Sequence, residues 1–374
     1  MELVLMALIL AAVLAAQYLV YKKYALRGVT YTLTLSKTEV FEGDEFEAVE
    51  EIENAKWLPL PWVRTEINCS RRLSFVGASQ ETADKTEQRG LVAGIFVLRG
   101  RQKCRRVWRV RCEKRGVFAV NDVSVSASDL FGLCRPTMLI KTEQRVRVLP
   151  IPAEIECGEL SREAFIGDIA VRRFVLPDPF MISGAREYTG REPMSRIHWA
   201  QTARTGRPMV YSSEFTTERS MLIVMNMQRS FTDERRRLSV TDIEAQIKAA
   251  AFMLDVCRAT RTPCALCANT VQPLATPCAE GYAHTIELLR ILAELKNGCG
   301  RHIDDYIAAL DISCYTDVVL ITAFVSERAA EFLRAASQAG KGCFVLTTGA
   351  DETDFCESRH IPRKLYPPEA GDDE

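Results

Sequence analysis

The sequence predicts an α+β chain in which an N-terminal transmembrane helix precedes an antiparallel β-rich, sandwich-like domain and then an α/β domain. Three observations predict it. Leu3 to Val20 is apolar apart from Gln17, Val29 to about Pro150 alternates with a period of two, and from Arg219 onward short apolar runs alternate with segments of helical spacing. The division that follows is an anchor with its basic flank at 1–27, the β-rich domain at 28–150, a connector at 151–217, the α/β domain at 218–362 and a disordered tail at 363–374.

At about 1.5 Å per residue the apolar run reaches roughly 27 Å, close to the hydrocarbon thickness of a bilayer. Tyr18, Tyr21 and Tyr24 close its C-terminal end and Lys22, Lys23 and Arg27 follow, whereas only Glu2 precedes it. Positive charge after the run predicts a single-pass protein of the cell membrane, inserted through residues 3–20, with its soluble domains in the cytoplasm. A signal peptide would carry its basic residues ahead of the run; a buried core helix is the other alternative. Thirteen scattered cysteines, an odd number, fit reduced thiols in that compartment. With 48 basic against 49 acidic side chains, the composition gives no global pull toward nucleic acid.

In the β-rich region "VTYTLTLS" alternates, "EFEAVEEIEN" sets Phe46, Ala48 and Ile52 between acids, and "RRVWRVRCE" places Val107 and Val110 among arginines with Trp108 nearby. "PLPWV" at 59–63 reads as an edge or a loop, because proline cannot donate to a β-ladder. Pro152, Pro177 and Pro179 punctuate the connector. Beyond it "RSMLIVMNM" is a buried strand, and "VTDIEAQIKAAAFMLDVCRAT" is a helix burying Ile243, Ile247, Ala250, Ala251 and Leu254. Further helices fall at "HTIELLRILAEL", "IDDYIAAL" and "SERAAEFLRAASQAG", with strands at "CALCAN", "TDVVLITAF" and "CFVLTT". Apolar strands between amphipathic helices imply a parallel sheet covered on both faces, Rossmann-like in topology.

The stretch "GAREYTGREPMSRIHWAQTARTG" carries Gly184, Arg186, Tyr188, Gly190, Arg196, Ile197, His198, Trp199, Thr202, Ala203 and Arg204. It resembles the signature of the bacterial domain of unknown function 58 (DUF58) family. Upstream, Arg115, Gly116, Phe118, Asp129, Phe131, Gly132 and Leu133 resemble a second segment of the same family. The family pattern prefers Gly-Asp where this chain has Gly190-Arg191. The resemblance implies a membrane-anchored chain with a β-rich region and a von Willebrand factor A-like domain. It also implies a MoxR-type AAA+ ATPase as protein partner and transglutaminase-like proteins as neighbours.

A von Willebrand A-like domain usually holds Mg²⁺ at an Asp-x-Ser-x-Ser motif after its first strand, completed by a later Thr and Asp. Here those positions read Asn226, Gln228 and Ser230, with Thr322 after the later strand. Neutral ligands lack the charge that offsets Mg²⁺ dehydration, so a degenerate site with no metal and no cofactor is expected. Asp233 lies close enough in sequence to substitute, and Arg229 and Asp233 mark a possible partner surface.

Cys264 and Cys267 have the gap of a zinc knuckle or redox pair, but no second pair stands at finger spacing. His198, His284, His302 and His360 show no partner motif for nucleophilic catalysis, and no glycine-rich phosphate loop occurs. The charged signature stretch reads either as a structural clamp, with Arg186, Arg196 and Arg204 on carboxylates or carbonyls and Tyr188 and Trp199 packed beside them, or as a partner surface. Two functions follow: a non-catalytic, membrane-tethered interaction module, and alternatively a hydrolase or metal-dependent enzyme using the strand ends of the C-terminal domain.

Overall fold

The computed structural model describes residues 2–77, 80–82, 89–152, 182–188, 194, 197–213, 219–229, 238–348 and 363–365. The chain is a mixed α/β protein that divides into two compact units, Met1–Ile151 with Leu289–Leu295, and Pro152–Leu288 with Lys296–Glu374.

The first unit opens with α1 (Glu2–Tyr24), long and apolar enough to cross a membrane. Two sheets follow. One has the order β1 (Val29–Leu35), β3 (Glu45–Asn54), β8 (Gln102–Cys112), β5 (Leu73–Phe75). The other runs β2 (Glu39–Phe41), β10 (Thr137–Leu149), β9 (Gly116–Ser128), β4 (Leu60–Ser70), β7 (Arg89–Leu98), β6 (Gln80–Thr82). All pairings are antiparallel except β2 with β10. Inward residues of both sheets, among them Phe46, Ile52, Ile67, Val92, Val110 and Val123, form one core.

Register between β3 and β8 is set on the outer face by opposite charge. Glu45, Glu47, Glu51 and Glu53 lie across from Arg111, Arg109, Arg105 and Lys103, and Lys103 reaches Glu51 at 2.8 Å. Each exposed pair is weak, but a slip of one residue would set acids such as Glu47 opposite the apolar residues of β8 and turn the core face outward. Val107 and Val110 are three apart and therefore on opposite faces: Val107 is exposed among the arginines, while Trp108 points inward with Val110.

The same alternation buries Glu50 and Asn54, which an apolar pattern does not anticipate. Trp108 Nε1 donates to Glu50 Oε2 at 2.9 Å, and Asn54 Nδ2 donates to the carbonyls of Leu58 and Arg99 at 2.9 and 3.0 Å. The 59–63 stretch is neither edge nor loop. Most of it lies in β4, between β9 and β7, and the ladder tolerates Pro61 because the register is irregular between Leu60 and Val63. Also within this unit, the buried Arg115 donates to the carbonyls of Leu292, Ala293 and Leu295 at 2.8, 3.3 and 3.3 Å.

The second unit holds a hairpin, β11 (Ile182–Glu187) with β12 (Met209–Ser213), and α2 (Trp199–Thr205) between them in sequence. Its main sheet has the order β15 (Leu274–Ala275), β14 (Cys264–Ala268), β13 (Met221–Met225), β16 (Asp317–Thr322), β17 (Gly342–Thr347), β18 (Arg363–Leu365). Only β15 runs antiparallel. The helices are α3 (Val240–Thr260), α4 (Tyr282–Glu294), whose residues from Leu289 onward fall in the first unit, α5 (Ile303–Ala308) and α6 (Glu327–Gln338). β13, β14 and β16 are buried at every position, as strands covered on both faces must be. Ser239 and Ser326 start α3 and α6 by accepting from Asp242 N and Ala329 N. The expected disordered tail is corrected at its first three residues: Arg363–Leu365 pair in parallel with Val345–Thr347. The rest of that tail lies outside the described residues.

Replacing Glu50 by Ala leaves the Trp108 N–H without its buried acceptor. The intact chain should lose roughly 1–3 kcal/mol of unfolding free energy, read from its urea midpoint. An unchanged midpoint would show that Glu50 adds nothing to the core.

Candidate functional site

The parallel register brings three strand ends together. Met225 lies across from Ala268 on one side and Ile321 on the other, so the next residues, Asn226, Asn269 and Thr322, stand side by side at the carboxyl ends of β13, β14 and β16. β13 leads to β14 on one side, while β16 adds on the other; ligands of open α/β sheets bind at such a reversal.

All three side chains are completely buried. Asn226 Nδ2 donates to Thr322 Oγ1 at 2.9 Å, and Asn226 Oδ1 accepts from Gln228 N and Asn269 Nδ2, both at 3.0 Å. Asn269 Oδ1 accepts from Met227 N at 2.6 Å, and its Nδ2 also reaches the Arg301 carbonyl at 3.1 Å. Thr322 Oγ1 donates to the Phe324 carbonyl and accepts from Phe324 N. Gln228 Oε1 receives the N–H of Ile303, the first residue of α5. A carboxylate at position 226 would offer two acceptors and no donor, whereas the amide satisfies both sides of this neutral network.

Of the expected adhesion-site positions, Asn226, Gln228 and Thr322 therefore converge. Ser230 and Asp233 lie outside the described residues, and Arg229 is exposed. Sequence reasoning missed Asn269; its signal was the Asn ending "CALCAN" one residue beyond a parallel strand. Missed too was a second group beside the network. Ser326 Oγ donates to Asp304 Oδ1, and Asp304 Oδ2 lies 3.7 Å from His302 Nδ1. This is not the geometry of an activated nucleophile: the hydroxyl proton points at a carboxylate, and the same oxygen caps α6 by accepting from Ala329 N. Among the described residues no three His, Cys, Asp or Glu side chains group as metal ligands.

The signature segment folds upon itself. His198 caps α2, its Nδ1 accepting from Gln201 N at 3.3 Å, while its ring stacks on Tyr211 with centroids 4.3 Å apart. Thr202 Oγ1 accepts from Met209 N at 2.9 Å, Tyr188 N donates to the Pro208 carbonyl at 2.9 Å, and Gly206 ends the helix in the left-handed conformation at φ 69°. The backbone of Arg186 pairs across from Val210. The clamp expectation needs correction at two residues. Trp199 is 65% exposed and does not pack, and Arg204 is exposed in the last turn; Arg207 instead pairs with Glu187 at 3.0 Å. Gly190, Arg191 and Arg196 lie outside the described residues.

Cys264 and Cys267 lie three apart on β14, so their side chains leave opposite faces of the sheet and cannot form a pair. In the other unit, burial pushes the Cys69 and Cys112 thiols up to about 12, Asp44 adding to the effect at Cys112. Thiolate reagents at pH 8 should therefore spare Cys69 and Cys112 until denaturant is added, and modify the exposed Cys278 and Cys314 in the native chain. Mass mapping of the adducts checks this.

Asn226→Asp removes the donor to Thr322 and buries a charge. It should cost about 1–3 kcal/mol, seen as a lower urea midpoint; an unchanged midpoint would show that the network does not depend on this amide.

No curated protein matches the chain. Among solved structures, the CARDB domain of a Pyrococcus furiosus protein in complex with di-metal ions is 8% identical, covers 32% of this chain and 91% of its own, and gives a TM-score of 0.21. The cohesin module of a Clostridium perfringens family 33 glycoside hydrolase is 14% identical over 33% of this chain and 97% of its own, at 0.23. A non-cellulosomal cohesin from Archaeoglobus fulgidus is also 14% identical, over 33% and 86%, at 0.19. Scores this low carry no argument about the present chain. The family match is different in kind: residues 184–348 match the family described as "Protein of unknown function DUF58". That span runs from the signature hairpin through β17, and over it the chain is similar to the DUF58 family.

Proposed function

We propose that this chain is a membrane-tethered, non-catalytic protein-interaction module. α1 spans the cell membrane with the basic flank Lys22, Lys23 and Arg27 on the cytoplasmic side, and the second unit is a von Willebrand A-like domain that engages a MoxR-type AAA+ ATPase. The observation that carries the reading is the neutral network at the strand ends. Where a domain of that type presents a hydrated cation to a partner's carboxylate, Asn226, Asn269, Gln228 and Thr322 consume one another's hydrogen-bonding capacity. Such a site supplies neither the anionic ligands that Mg²⁺ needs nor a paired nucleophile and base. What remains for recognition is surface, with the exposed Arg229 next to the network.

The test uses native membranes. Carbonate extraction should leave the chain in the pellet, and crosslinking followed by affinity capture should recover an AAA+ ATPase. Capture that recovers none under crosslinking contradicts the partner. Calorimetry of the detergent-solubilised chain should show no Mg²⁺ or Mn²⁺ binding, and tight binding would instead favour a metal-dependent adhesion or hydrolytic role.

A further inference from the structure

We infer that the end of the first unit nearest α1 is a lipid-binding surface, its loop tips seated in the headgroup layer of an anionic bilayer. The inference rests on the reading of α1 as an anchor. Strand register places three turns at this end, 55–59 between β3 and β4, 99–101 between β7 and β8, and 129–136 between β9 and β10. Val29 pairs with Asn54 where β1 leaves the helix, Leu60 with Leu98, and Trp62 with Ser128.

These turns and their flanks expose large apolar side chains: Trp57 at 75%, Leu130 at 68%, Phe131 at 64%, Leu133 at 56% and Trp62 at 51%. Their exposure is built in. Asp129 Oδ1 accepts from Cys134 N at 3.1 Å and its carbonyl accepts from Gly132 N at 3.3 Å, so the 129–134 turn is fixed with its apolar residues outward. Gly100 allows the 99–101 turn to lie against the Trp57 carbonyl, where a Cβ has no room. The turns at the opposite end, 36–38, 42–44, 71–72 and 113–115, carry Lys37, Asp44, Arg72, Glu113 and Lys114 and no aromatic or leucine residue.

Continuity with the anchor identifies the occupant. Tyr21 and Ala25 belong to the core of this unit, Tyr21 Oη donates to the Pro59 carbonyl at 3.0 Å, and Lys56 Nζ donates to the Ala25 carbonyl at 2.7 Å. The helix therefore enters the domain without a flexible joint, and the turns flank the point at which it emerges. Around that point Lys22, Lys23, Arg27, Arg99, Arg101 and Arg135 are exposed, and the Arg101 guanidinium lies 4.2 Å from the centre of the Trp57 ring. Aromatic side chains with cations beside them suit the boundary between acyl chains and phosphates. An apolar patch of this kind on a freely solvated surface would be a liability.

The experiment uses the full chain reconstituted in phosphatidylglycerol–phosphatidylcholine vesicles containing lipid brominated near the glycerol end of the acyl chain. Tryptophan fluorescence should be quenched, and the Trp57→Phe/Trp62→Phe variant should lose most of that quenching. Adding Phe131→Trp to this variant should restore it. Unaltered quenching in the double variant, or none from Phe131→Trp, overturns the inference. Flotation and carbonate extraction keep the two readings apart: an anchored chain without quenching overturns the lipid surface alone, whereas a chain that does not float overturns the anchor as well. Crosslinks between copies at Trp57 or Phe131 in place of quenching would assign this face to a second copy and overturn the inference.

Discussion

A side-chain amide buried at the end of a central strand must find both a donor's and an acceptor's partner without water, and Asn226 meets that demand through two neighbouring strands and its own loop. Its two polar atoms tie β13 to Thr322 at the end of β16, to Asn269 after β14 and to the backbone of its own loop. Asn269 and Gln228 then reach the Arg301 carbonyl and the start of α5. Backbone that would otherwise be orphaned where a parallel sheet ends is thus satisfied by side chains, and the loop geometry follows from that requirement. The constraint is tight because an unmade hydrogen bond here costs more than a made one contributes.

A comparable constraint organises the first unit. Glu50 and Asn54 are forced inward by the period of β3, and each is held by a partner brought by another strand or turn. On the opposite face of the same strand, the acids facing β8 specify register through charge. One strand therefore carries two kinds of information: apolar and hydrogen-bonded residues position it in the core, and charge selects its neighbour.

Much of this was legible because it is periodic. Val240–Thr260 is helical over the span its spacing indicates, and the buried strands of the second unit coincide with the uninterrupted apolar runs. What was not legible depends on tertiary pairing. Pro61 reads as an edge residue until an irregular register lets β4 occupy the middle of a sheet. Val107 and Trp108 are adjacent, and only the pairing with β3 decides which faces inward. At the strand ends the motif positions Asn226, Gln228 and Thr322 were visible from the family resemblance, but Asn269 comes from a strand 43 residues further along the chain and carries no motif.

The signature segment shows why a distinctive motif need not be a site. His198, Thr202 and Gly206 are used at the start, middle and end of one seven-residue helix, fastening it to the hairpin strand that follows. A helix of that length is unstable alone, so each contact substitutes for propensity the segment lacks. A ring already engaged as a cap and stacked on Tyr211 is in a poor position to shuttle protons. This arrangement leaves Trp199 in the first turn and Arg204 in the last turn facing solvent. Structure explains His198, Thr202 and Gly206 and leaves the exposed tryptophan and arginine to be explained by something outside the fold.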